Sequence, residues 1–300
     1  TISSGHTSSD LDYTNTSALT LNGGTIKDAA GNDAILTLVS PSTANSLGAN
    51  KNLIIDTTIP AVTFSPANAA TGVLIDRNIR IIFNEAMRHI DDSEITDTNV
   101  DALITLKSTN TTGTDIAFDA TINDDKKVIT INPSSDFSSE QLVYVAIGVT
   151  VEDAANNAIT ASSATFTVLD VNAPTVTFSP ADGSKNITGS SNVTITFNEA
   201  MRNIDDTEIT NTNVDALITL KSTDASGTGI GFDATINSGK TVITVDPTND
   251  FSSSQVVYAA MGATVEDGSN NAISATSIIF TTADVTAPAT PTGLLATAGN

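Results

Sequence analysis

Phe83-Asn-Glu-Ala-Met-Arg88 returns, letter for letter, as Phe197-Asn-Glu-Ala-Met-Arg202, 114 residues further on. The same offset of 114 separates Pro60 from Pro174, Val151 from Val265, and the stretch 99–109 from 213–223. The two copies therefore align without a gap. A period this long exceeds the ~20–50 residues of solenoid units and matches a whole domain. It divides the chain into complete units at 58–171 and 172–285, with residues 1–57 before them and 286–300 after. Near-identical units in series suit a task in which number or length matters more than one unique site.

Within the second unit, short runs rich in Val, Ile, Thr and Phe lie at 175–178, 192–197, 216–221, 231–236, 241–245, 255–260 and 276–281. Their alternation, broken by turn clusters such as Pro180-Ala-Asp-Gly183, predicts half-buried strands. Seven such strands in one unit predict an all-β fold, an antiparallel β-sandwich. The one stretch with a helical look is 199–208, which is short and polar. Residues 1–57 carry strand-like runs at 17–21, 35–39 and 52–56 and an insertion at 40–50, and read as the C-terminal part of a different preceding sandwich. Missing its first strands, it would expose edges and part of a core, and is expected to be poorly ordered or paired with a neighbour.

Composition narrows function by exclusion. With 34 acidic against 12 basic residues and a net charge of −22, the chain lacks the basic footprint that a phosphate backbone requires, so nucleic acid is not an expected partner. There is no Cys, hence no disulfide and no thiolate metal site. No apolar run approaches the ~20 residues of a membrane helix, and Thr1 does not open a signal peptide; the chain reads as a window of something longer. His6 and His89 are the only histidines, and His89 becomes Asn203 in the second copy, which leaves no support for a Ser-His-Asp arrangement and predicts no enzyme. Lys107 and Lys221 lack a partner motif for a crosslink, Asp119 and Asp233 sit on the outward phase of their strands, and Asp91-Asp92 with Asp205-Asp206 read as turn acids.

An acidic, Asn-rich turn closes each copy. Val151-Glu-Asp-Ala-Ala-Asn-Asn-Ala-Ile159 is followed by Asp170-Val-Asn-Ala-Pro174, and Val265-Glu-Asp-Gly-Ser-Asn-Asn-Ala-Ile273 by Asp284-Val-Thr-Ala-Pro288; a looser copy runs from Ile26 to Ile35, with Asp56-Thr-Thr-Ile-Pro60 after it. Together with Thr177-Phe-Ser-Pro-Ala-Asp-Gly183, Val193-Thr-Ile-Thr-Phe-Asn-Glu-Ala-Met201 and a closing Phe280-Thr-Thr282, these motifs resemble the bacterial Ig-like domain repeats of large surface and adhesin proteins. Ala287-Pro-Ala-Thr-Pro-Thr-Gly-Leu-Leu-Ala-Thr297 resembles the start of a fibronectin type III domain.

The resemblance implies tandem sandwiches end to end, on the cell surface or otherwise extracellular, serving as spacers of an adhesin, matrix or sheath protein. It leaves open self-associating or glycan-binding repeats that form surface filaments, and accessory domains of a secreted polysaccharide-active enzyme. Partners are then neighbouring Ig-like domains, other copies of the chain, or surface glycans. In such a sandwich the turn after the second strand, the turn before the last strand and the arriving linker share one end. That topology would gather Asp56, Glu85, Glu152, Asp153 and Asn157, and one unit later Asp170, Glu199, Glu266, Asp267 and Asn271, with Asp28 and Asp284 as outlying candidates. Clustered carboxylates repel unless a cation sits among them, and Ca²⁺ takes six to eight oxygens in a flexible shell. The Asp-x-x-x-Pro hinge resembles that of some bacterial Ig-like arrays that hold Ca²⁺ at their junctions, and the resemblance implies an ion that would stiffen a hinge Pro60 or Pro174 already restricts. The same acids also suit ordinary solvated turns.

Overall fold

The computed structural model describes residues 1–290, 292 and 293. Most of the fibronectin-like stretch read at 286–300 lies outside the described residues. The chain divides into two compact units, Thr1–Leu169 and Asp170–Asn300.

In the first unit, the elements ahead of the repeat are β1 (Thr7–Ser8), a single helical turn α1 (Leu47–Asn50) and β2 (Ile55–Asp56), with β1 and β2 paired antiparallel. The strands expected at 17–21 and 35–39 do not form, and the run at 52–56 is a strand only at its end. A strand needs a neighbour for its backbone groups and a face to bury. Here Leu19 is 47% and Ile35 90% exposed, so the second condition is not met.

The first repeat follows as β3 (Val62–Ser65), β4 (Ala70–Val73), β5 (Ile79–Phe83), β6 (Arg88–His89), β7 (Ile104–Ser108), β8 (Phe118–Ile122), β9 (Val128–Pro133), β10 (Leu142–Ile147), β11 (Val151–Glu152) and β12 (Ser162–Val168). One sheet has the order β3-β5-β9-β8 and is antiparallel throughout; the other has the order β4-β12-β10-β7, with β4 parallel to β12. A two-stranded ribbon, β6·β11, closes one end. Alternation sets which face is buried. Ile79, Ile81 and Phe83 of β5 face Val143, Val145 and Ile147 of β10 and Phe166 of β12 in a single apolar cluster. Phe137 meets Phe166 edge-on, with ring centroids 5.8 Å apart.

The second repeat has the same construction: β13 (Val176–Ser179), β14 (Val193–Phe197), β15 (Arg202–Asn203), β16 (Ile218–Ser222), β17 (Phe232–Ile236), β18 (Val242–Pro247), β19 (Val256–Met261), β20 (Val265–Glu266) and β21 (Thr276–Thr281). Its sheets are β13-β14-β18-β17 and β16-β19-β21, and a single parallel bridge, Ile187 to Thr282, stands where β4 pairs in the first repeat. The helical look of 199–208 is not realised. Arg202 and Asn203 pair instead with Glu266 and Val265, and Asp205 turns the chain by accepting the Thr207 N–H. The helical turn falls later, as a 3-10 turn at Val214–Leu217, matching Val100–Leu103 in the first repeat.

The sheet edges are closed by side chains and loops. At β8, Asp101 Oδ1 accepts the Ala120 N–H and Asp97 Oδ1 the Ile122 N–H. At β7, residues 113–116 fold over the edge, so tightly that a Cβ on Gly113 would stand 1.5 Å from the Ser108 carbonyl oxygen, as it would for Gly227 against Ser222. Only glycine fits there.

Candidate functional site

The turn after β5 and the turn after β11 are brought side by side by the β6·β11 ribbon, and the chain of β2 arrives beside both. Asp56, Glu85 and Asp153 each offer one carboxylate oxygen there, and the three oxygens lie within 4.8 Å of one another. The second unit builds the same group from Asp170, Glu199 and Asp267. Asp153 and Asp267 are each only 1% exposed; the other members are half-buried.

Each member is aimed by a local bond. Asp153 Oδ1 accepts the N–H groups of Ala155 (2.7 Å) and Asn157 (2.9 Å), the short-range turn chemistry that Asp favours. Asn84 Nδ2 donates to Glu85 Oε1 at 3.3 Å while its Oδ1 accepts the Ala61 N–H, so one amide fixes both the glutamate and the first strand. Asn198 does the same for Glu199 and Thr175. Burial raises the pKa of Glu85 above the ordinary glutamate value, and the neighbouring carboxylates of Asp153 and Asp56 raise it further. A divalent cation would relieve that repulsion, and three carboxylates with oxygens this close match the hard-ion preference of Ca²⁺. The donor set therefore fits such an ion.

Other residues anticipated as ligands take different roles. Glu152 and Glu266 are buried but turn to arginine: Arg88 Nη2 lies 3.4 Å from Glu152 Oε1, and Arg202 Nε donates to Glu266 Oε1 at 3.2 Å. Successive residues of a strand point to opposite faces, so Glu152 cannot accompany Asp153 into the group. The same arginines hold Asp92 and Asp206 at 2.7 and 2.8 Å and the Asn156 and Asn270 side-chain oxygens. Asn157 and Asn271 reach the group through amide N–H donors, which cannot ligate a cation. Asp28 and Asp284 lie outside both groups. Asp28 organises a turn whose bonds match those of Asp153, accepting from Ala30, Asn32 and the Asn32 amide, and these bonds lower its pKa. Asp284 is held by Thr286 and Ser253, which lower its pKa. The sequence pattern does not by itself reveal the arginine clamps; the signal for them is the fixed spacing of Glu85 to Arg88 to Asp92, with Arg88 and Asp92 four residues apart.

No curated protein matches. Among solved structures, the chain resembles the N-terminal part of the bacterial S-layer protein SbsC (12% identity, TM-score 0.28), with 76% of this chain and 45% of that one covered. It also resembles the titin fragment A168169 (7% identity, TM-score 0.34), with 76% of this chain and 100% of that one covered. An L,D-transpeptidase from Mycobacterium smegmatis matches at 12% identity and TM-score 0.25, with 60% of this chain and 62% of that one covered. The chain thus spans less than half of the first of these, and likenesses this distant transfer no activity. A family profile described as the bacterial Ig-like domain matches residues 56–168 and again 170–282. With both repeats matched from end to end on an all-β sandwich frame, the chain belongs to the bacterial Ig-like domain family.

Proposed function

We propose that the chain is a run of non-catalytic spacer domains from an extracellular or cell-surface bacterial protein, and that each repeat takes one Ca²⁺ at its acidic group. In this reading Asp56, Glu85 and Asp153 hold one ion and Asp170, Glu199 and Asp267 the other. The ion ties the incoming linker residue, Asp56 or Asp170, to two turns of the sandwich it enters. Interdomain motion is the default for domains joined by short linkers, and such a tie would restrict it.

The observation that carries this reading is the twice-built trio of carboxylates, one of them 1% exposed, in a fold whose other acids are solvated or paired. Membership of the family supports the spacer role. Among the described residues, no helix is long and apolar enough to cross a membrane. Calorimetry of the chain with calcium and with chelator tests the proposal. A ligand at a hundred times its Kd stabilises the native state by about 2.7 kcal/mol, so both unfolding transitions should rise with calcium. Identical melting in the two conditions would remove the ion from the account.

A further inference from the structure

We infer that Asn157 and Asn271 are braces that fix the backbone of the incoming linker to its sandwich without any ion. Asn157 Nδ2 donates both to Asp153 Oδ2 (2.8 Å) and to the backbone oxygen of Asp56 (3.1 Å). Asn271 Nδ2 donates in the same way to Asp267 Oδ2 (2.8 Å) and the backbone oxygen of Asp170 (3.1 Å). The carbonyl partner lies 101 residues away in sequence in each case, so the bond joins the start of a repeat to the turn before its last strand.

The donor is aimed by bonds within its own turn. The Asn157 N–H bonds to Asp153 Oδ1 at 2.9 Å and the Asp153 N–H to the Asn157 carbonyl at 3.2 Å, closing a small ring around a buried carboxylate. Rotamer freedom is already spent within the turn, so the amide loses little more by holding the linker. The turn from Ile26 to Ala34 separates the two tasks. There Asn32 Nδ2 makes the matching bond to Asp28 Oδ2 at 2.9 Å, so the turn forms by this chemistry alone, and the linker bond is what the two repeats add. The paired asparagines also divide their labour. Asn156 and Asn270, at φ of +66° and +71°, give their side-chain oxygens to Arg88 and Arg202, and the following asparagine serves the linker.

The test uses the whole chain in chelator, with hydrogen exchange at residues 170–175 and small-angle scattering as readouts. Asn271→Ala should speed linker exchange about fivefold, the loss of roughly one hydrogen bond, and broaden the interdomain distance distribution. Asn270→Gly, one residue away in the same turn and tolerant of its positive φ, should leave linker exchange unchanged. Asn271→Ser, polar but too short to span both acceptors, should follow Asn271→Ala, and stands in for it if that variant does not fold. Unchanged linker exchange in the folded Asn271 variant, or an equal change in Asn270→Gly, overturns the brace. The result is separable from the calcium reading: a wild-type chain indifferent to calcium, yet with a linker loosened by Asn271→Ala, rejects the ion and keeps the brace.

Discussion

The two repeats share a backbone plan but differ in how completely their buried polar groups are satisfied. In the first, Arg88 Nε, His89 Nε2, Thr150 Oγ1 and Glu152 Oε1 are buried without a hydrogen-bond partner. In the second, Arg202 Nε reaches Glu266 Oε1, and Asn203, in the place of His89, donates to Thr207 Oγ1 at 3.0 Å and to the Glu208 carbonyl at 3.3 Å. The acid groups differ in their surroundings too: Lys127 stands near Glu85 and counters part of its raised pKa, whereas the aligned residue in the second repeat is Thr241. Duplicated sandwiches can keep one core and still diverge at the end that meets the linker. The apolar interior is set by size and pattern, whereas a buried polar network fails by single atoms.

In the core the two repeats should behave alike. Ile81→Ala and Ile195→Ala, both at fully buried positions, should each cost about 3–4 kcal/mol. Unequal losses on chemical unfolding would place the divergence in the cores instead. Next come the clamps. Arg202→Ala leaves the hydrogen-bonded Glu266 carboxylate buried and unpaired and should cost about 3 kcal/mol. Arg88→Ala removes a longer contact to Glu152 and should cost closer to 1–2 kcal/mol; equal costs would mean the two networks are equivalent.

A smaller effect is electrostatic. Glu85 has a raised pKa in the folded state, so the stability tied to its proton is complete below the ordinary glutamate range and is lost as pH rises through the raised value. In chelator, the first transition should therefore fall as pH climbs through that range. Glu85→Gln should flatten the fall and blunt any calcium response of that repeat while sparing the other; an unchanged pH profile would refute the assignment. Smallest is His89→Asn, which imports the partner-rich residue of the second repeat and should raise the first transition by about 0.5–1 kcal/mol. No gain in calorimetry would mean that the orphaned nitrogen costs nothing.

Much of this architecture is legible in the sequence. Alternation placed the seven long strands of the second repeat within one or two residues, because the period-two pattern of Val193-Thr-Ile-Thr-Phe197 has one buried phase. The two-residue strands at Arg202–Asn203 and Val265–Glu266 were not, since a pair that short carries no period. For the same reason the polar run at 199–208 looked helical when it is a hairpin turn. At the site, topology brought Asp170, Glu199 and Asp267 to one end, but it cannot tell which of two adjacent acids faces inward. That choice was made by Arg202, whose guanidinium claims Glu266. In residues 1–57, strand-like composition at 17–21 and 35–39 misled because pattern reports what a segment is able to bury and not whether a partner is there.

The edges of β8 and β17 are capped from within their own sandwiches. Asp97 and Asp101 in the first repeat, and Asn211 and Asp215 in the second, occupy the outward N–H groups that a foreign strand would seek. A polypeptide carrying near-copies of one domain next to each other runs a constant hazard of exchanging strands between siblings while it folds. Occupying those donors from within each sandwich makes the wrong sibling a poor substitute, which lets such a chain be lengthened by simple duplication.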